Sequence, residues 1–167
     1  MQKILIKIIA ALTVIIFATA CPVGIDHAPD TPGNVKIDKR LIGAWATANK
    51  QAAIQKIVVK KLDETTYAVE VTEKSDNFLA DETKYSSWLT EIDGQQFIYS
   101  KPASGKNQYF TYHLKIDGKD QFTISDVGLL DKGVDGVTST RTFREEISRS
   151  LKMKDCLTEP VAYTREK

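Results

Sequence analysis

Two Asp-Gly steps, Asp93-Gly94 and Asp117-Gly118, each stand between runs of alternating apolar and polar residues. An Asp-Gly step tolerates φ > 0 at both positions, which is what a tight hairpin turn requires. The flanking runs are residues 84–92 and 95–100 around the first step, and 108–116 and 121–126 around the second. In the third run Phe110, Tyr112, Leu114 and Ile116 share one face, and Tyr109, Thr111, His113 and Lys115 share the other. One apolar face and one mostly polar face predict an antiparallel sheet with a single wet side.

The same period extends on either side. Residues 41–46 and 54–62 read as strands, although Gln51-Ala52-Ala53 also suits the start of a helix turn. Tyr67, Val69 and Val71 alternate with Ala68 and Glu70, after a turn at Asp63-Glu64-Thr65. Residues 73–83 are polar apart from Phe78, Leu79 and Ala80 and read as a loop or distorted edge; 127–138, with three glycines, reads as a loop. A helix follows, capped by Ser139 or Thr140, with Thr142 to Glu145 fitting the capping-box spacing and Glu145 as its acceptor. Phe143, Ile147 and Leu151 recur every four residues, a stripe that can lie on a sheet or plug one end of a barrel. Residues 161–165 read as a last strand after Pro160. The expected class is mostly β: an antiparallel meander of about eight strands, forming a small barrel or curled sheet, with one late amphipathic helix before a closing strand.

The first 20 residues belong to a different regime. Lys3 and Lys7 precede an apolar run from Ile8 to Phe17, and Ala18, Thr19 and Ala20 lead directly into Cys21. A cationic start, a short apolar core and a small-residue junction describe a secretory signal, too short for a bilayer span of ~20 residues. The Ala18-Thr19-Ala20-Cys21 junction resembles the lipobox of bacterial lipoproteins, with Ala18 where that family usually has Leu. The resemblance implies cleavage before Cys21, lipidation of its sulfur and acylation (palmitate or a similar chain) of the new amino group. It also implies attachment to a membrane of the cell envelope. Pro22 follows the cysteine in place of the Asp that retains some lipoproteins at the inner membrane, so the resemblance points to the outer membrane, on its periplasmic or surface face.

Residues 22–38 hold Pro22, Pro29, Pro32, Gly24 and Gly33 and read as an irregular leash. Its 17 residues span at most ~56 Å, enough to hold a domain clear of a membrane. The expected organisation is therefore a signal at 1–20, a lipidated Cys21 and tether at 21–38, and one β domain at 39–167. Of 23 basic and 22 acidic side chains, the signal takes Lys3 and Lys7, leaving 21 against 22. That balance provides no electrostatic footprint for nucleic acid.

The chain offers little recognisable chemistry. His27 lies in the leash and His113 on a polar strand face, where it reads as a solvated side chain without metal-ligand neighbours. Nucleophile-elbow and zinc-helix motifs are missing, and Gly128 to Gly133 lacks the Lys of a phosphate loop. The spacing of Asp126, Asp131 and Asp135 is not that of a calcium loop. Cys156, without a partner if Cys21 is lipidated, reads as a small buried apolar residue. No catalytic residue, metal or cofactor is expected. An envelope hydrolase with an unrecognised site is the alternative to a non-catalytic module that binds a small apolar ligand or an envelope protein.

Gly43-Ala44-Trp45 on the first strand, with a helix late in a β meander, resembles the lipocalin-like (calycin) barrels, although true lipocalins usually place the helix after the eighth strand. That resemblance implies a barrel with Trp45 packed inward at one end and covered by Arg165 from the closing strand. By its size Trp45→Ala is expected to cost ~3–5 kcal/mol and Arg165→Ala much less. Trp88, Phe97, Tyr99, Phe110, Tyr112 and Phe122 are the candidates to line the interior. They fill it as core or surround one ligand, both being compatible with eight strands; the short chain favours filling.

Overall fold

The structure, a computed structural model, describes residues 24–47, 54–74 and 84–167. The signal, Cys21, the first residues of the leash, the possible helix turn at 51–53 and nearly all of the 73–83 loop lie outside the described residues.

Eight strands form a closed barrel in sequence order, every neighbouring pair antiparallel. They are β1 (Gly43–Thr47), β2 (Ile54–Lys61), β3 (Tyr67–Lys74), β4 (Lys84–Ile92), β5 (Gln95–Pro102), β6 (Phe110–Ile116), β7 (Gln121–Val127) and β8 (Leu157–Arg165). The helix α1 (Thr140–Ser150) joins β7 to β8. Up-and-down order places the β2–β3, β4–β5 and β6–β7 turns at one end, the floor. The β1–β2, β3–β4 and β5–β6 connections and the helical β7–β8 connection lie at the other end, the rim.

Local chemistry accounts for the boundaries. Asp93 (φ 50°) and Gly94 (φ 74°) both take the left-handed backbone of the tight hairpin. The second Asp-Gly step sits in a longer turn, closed by the Asp117 N–H donating to the Gln121 carbonyl at 2.9 Å. The first strand begins later than its pattern suggests, because Asp38 caps a 3-10 turn at Lys39–Leu41 by accepting from the Arg40 N–H. The last strand begins earlier and runs through Pro160. Proline cannot donate to a ladder, and it is tolerated here beside a bulge where Glu159 adopts φ 50° and the β7–β8 register shifts.

The barrel interior at the floor is densely packed. Leu41, Trp45, Val59, Tyr67, Leu89, Leu114, Phe122 and Tyr163 form one buried cluster, with Val35 and Ile37 packed against it from the incoming chain. Trp45 is 1% exposed, meets Phe122 edge-on at 4.8 Å and donates its indole N–H to the Leu41 carbonyl at 2.9 Å. The Arg165 guanidinium lies over the Trp45 ring, 4.2 Å from its centroid. It donates to the carbonyls of Ile42 (2.9 Å), Arg40 (2.6 Å) and Lys119 (2.9 and 3.1 Å). Gly43 leaves the space for this: a Cβ there would stand 2.2 Å from Arg165 Nη1, and its φ is 150°.

A second apolar cluster lies outside the barrel. Phe143 and Ile147 of α1 are buried against Ile92, Phe97, Val137 and Ile25, with Leu151, Val127 and Leu129 at the margin. The helical stripe therefore covers the outer wall instead of plugging an end. Ser139 caps α1, and Thr142 completes the capping box by accepting from the Ser139 N–H at 2.9 Å. Glu145, expected in that role, is exposed and pairs with Arg141 at 2.9 Å.

The leash is the largest departure from expectation. Ile25 and Tyr109 exchange two backbone hydrogen bonds of 3.0 and 2.8 Å at the rim. The chain then descends the outer wall to the floor. Ala28 and Pro29 are buried, and Asp30 accepts from Thr90 Oγ1 at 2.6 Å and faces Arg144 at 3.3 Å. Ile37 donates its N–H to the Glu64 carbonyl at 3.1 Å. Residues 24–38 thus belong to the folded domain and provide no slack. Their prolines suit a strap with few backbone hydrogen bonds to the barrel, at Ile25 and Ile37, and several made through side chains.

Candidate binding chamber

The pairing register sorts the aromatic residues unambiguously, since side chains alternate between faces along each strand. Leu89 and Ile98 are cross-strand partners and both belong to the interior cluster, so Trp88 and Tyr99, also paired, point outward. Phe97 points outward with them and joins the cluster beneath α1. Of the six residues expected to line the interior, Phe110, Tyr112 and Phe122 do so, and Trp88, Phe97 and Tyr99 do not. The reason is a second covered surface: large alternating residues on β4 and β5 mark the face under the helix and strap. Trp88 stacks on Tyr99 at 5.6 Å and donates its indole N–H to Thr66 Oγ1 at 3.1 Å. His113 lies on this outer face too, edge-on to Phe97 at 5.5 Å. His113 is half-buried against that ring and not a fully solvated side chain, and the burial pushes its pKa down.

Inside, the floor half and the rim half differ. Toward the rim the inner wall carries Thr47, Val71, Tyr85, Ser87, Ser100, Phe110, Tyr112 and Asp126 by register. Val71, Tyr85, Phe110, Tyr112 and Asp126 are only half-buried, in contrast to Trp45, Tyr67 and Phe122 below them. Tyr85 and Phe110 meet edge-on at 6.5 Å, and the hydroxyls of Ser87 and Ser100 share a 2.7 Å hydrogen bond across β4–β5. Tyr112 and Asp126 are direct partners across β6–β7. Burial, with the nearby charge of Glu159, pushes the Asp126 carboxyl above the usual carboxylate range. Burial likewise raises the Tyr112 hydroxyl, helped by Asp126, Tyr85 and Tyr163. Among the described residues no hydrogen bond or ion pair engages the Asp126 side chain. Thr47 Oγ1 is buried without a hydrogen-bond partner among the same residues.

This arrangement combines aromatic walls with polar groups whose hydrogen-bonding capacity is unspent. It suits a small molecule with an apolar body and one hydrogen-bond donor, more than it suits bond cleavage. Cys156 is buried, its Sγ is 3.5 Å from the Gly128 carbonyl, and burial raises its thiol pKa, the opposite of an activated nucleophile. Among the described residues no group of three or more His, Cys, Asp or Glu side chains is placed to hold a metal ion.

One buried carboxylate escaped the sequence reading. Glu146 on α1 is fully buried, and its Oε1 accepts from the N–H groups of Asp131 (2.9 Å), Lys132 (2.9 Å) and Gly133 (3.2 Å). Burial opposes its charge, yet these donors and Arg149 hold its pKa below the usual range. It anchors the loop after β7 and plays no part in the chamber. Its only sequence signal is an acid one residue before the apolar stripe position Ile147. No family model, no curated protein and no solved structure matches this chain.

Proposed function

We propose that the protein is a lipid-anchored lipoprotein of the bacterial cell envelope whose barrel is a non-catalytic binding module. The chamber in the rim half takes one small, mostly apolar molecule with a hydrogen-bond donor for Asp126. The observation that carries this reading is the contrast within one interior: a packed floor beneath half-buried aromatics and an unengaged carboxylate. The calycin resemblance has support from the eight-stranded closure and the Arg165–Trp45 contact. The helix before, not after, the last strand is a departure from that group.

The anchor is tested by Cys21→Ser in fractionated cells, with membrane release expected and retention after a salt wash counting against it. A density gradient is expected to place the wild type with the outer membrane. The chamber is tested by titrating the purified protein with a neutral apolar fluorophore such as N-phenylnaphthylamine. Saturable one-to-one binding is expected, weakened at least tenfold by Val71→Phe on the inner wall and unchanged by the isosteric Thr111→Val on the outer. Absence of saturable binding would mean that the interior is simply core.

A further inference from the structure

We infer that the barrel stands rim-down on its membrane, with the exposed Leu157 at the rim end of β8 resting in the lipid headgroup layer. The inference deepens the proposed function and rests on its Cys21 anchor. Its first support is where the ordered chain ends. Ile25 is tied to Tyr109, one residue before β6, by a reciprocal pair of backbone hydrogen bonds at the rim. Beside it, a Cβ on Gly24 would stand 3.0 Å from the Gln108 side chain, so Gly24 is at the rim as well. Only four residue steps separate Ile25 from Cys21, a reach of at most ~14 Å. The strap adds no length to this tether, because it is folded onto the barrel wall and held by Asp30. A lipid on Cys21 therefore brings the rim, not the floor, to the membrane.

The second support is independent of the anchor. Among the described residues five large apolar side chains are exposed: Leu62, Leu130, Val134, Met153 and Leu157. Leu130, Val134 and Met153 belong to the two connections flanking α1, and Leu157 opens β8. These connections meet at the rim, where Gly128 N–H donates to the Cys156 carbonyl at 2.7 Å and Val127 pairs with Leu157. Single exposed apolar residues are ordinary, but Leu157 stands at the end where the chain leaves for its anchor, whereas Leu62 stands at the floor end of β2. In this orientation the chamber mouth faces lipid, and its ligand enters from the membrane side.

The test uses the mature lipidated chain in vesicles of phosphatidylethanolamine and phosphatidylglycerol. Leu157→Cys and Leu62→Cys proteins are each labelled with a polarity-sensitive fluorophore, and lipids carrying nitroxide at the headgroup act as quencher. Flotation of the vesicles first reports whether the chain is anchored at all; failure there rejects the anchor reading and the orientation with it. With flotation intact, the probe at 157 is expected to shift to the blue and be quenched at least threefold more than the probe at 62. Equal quenching, or stronger quenching at 62, overturns the orientation while leaving the anchor standing. Blue-shifted emission at 157 without lipid quenching would mean that another protein covers the rim, and also overturns it.

Discussion

Arg165→Ala is the most informative perturbation of the barrel floor. On sequence grounds the arginine is an accessory to Trp45, so its loss costs little. Its contacts imply otherwise. The ring contact contributes ~1–2 kcal/mol when largely desolvated. The part-buried bond to the Ile42 carbonyl is charge-assisted and contributes about 1.5 kcal/mol. The bonds to the Arg40 and Lys119 carbonyls are exposed, and together they add roughly 1 kcal/mol. The loss is therefore about 3–5 kcal/mol, comparable to Trp45→Ala and a large fraction of an ordinary domain's stability. Arg165→Lys restores the charge but not the planar fork that reaches three carbonyls, and recovers less than half of the loss. Urea unfolding followed by far-ultraviolet circular dichroism measures all three variants. A double-mutant cycle with Trp45→Phe isolates the ring contribution, expected at ~0.5–2 kcal/mol. If Arg165→Ala costs under 1 kcal/mol, or Lys replaces Arg without loss, the floor is held by Trp45 burial alone and this reasoning fails.

Glu146→Gln is expected to destabilise by about 2–3 kcal/mol, because the buried site offers three N–H donors to a carboxylate. The lowered Glu146 pKa means that its contribution is complete above the unfolded value and disappears as pH falls through the folded value. Acid titration of wild type and Glu146→Gln should therefore converge at the acid end; parallel curves down to the lowest pH would count against the assignment. Asp126→Asn should act in the opposite direction: its raised pKa makes the charge a liability near neutrality, so the variant melts higher at pH 7, with the difference vanishing in acid. A lower melting temperature at pH 7 would show that the carboxylate is engaged. Cys156 should resist thiol reagents at neutral pH until the protein unfolds, and Cys156→Ala should cost only ~1 kcal/mol; rapid labelling of the folded chain would contradict its burial. Asp30→Ala should free the strap and expose 24–38 to proteases while the barrel persists, which limited proteolysis with mass spectrometry will show.

Local pattern alone determined the strands, the late helix and the tight Asp93-Gly94 hairpin, because alternation, capping and turn backbone are properties of neighbouring residues. Trp45 was legible as an inward residue only through the Gly43-Ala44-Trp45 resemblance to lipocalin-like barrels. Period-2 alternation says which residues share a face, but not which face is inside. On β4 and β5 both faces are covered, so Trp88, Phe97 and Tyr99 carried the same signal as Phe110 and Phe122. Only the closed register, together with α1 and the strap on the outer wall, separates them. The strap itself was illegible. Proline and glycine forbid regular structure without forbidding order, and residues 24–38 are held by Asp30, Pro29 and Ile25 through contacts with residues far along the chain. Closure of the barrel was the tertiary decision that mattered most. It placed Tyr112 and Asp126 side by side on the inner wall and brought Arg165 over Trp45, across a separation no local rule can bridge.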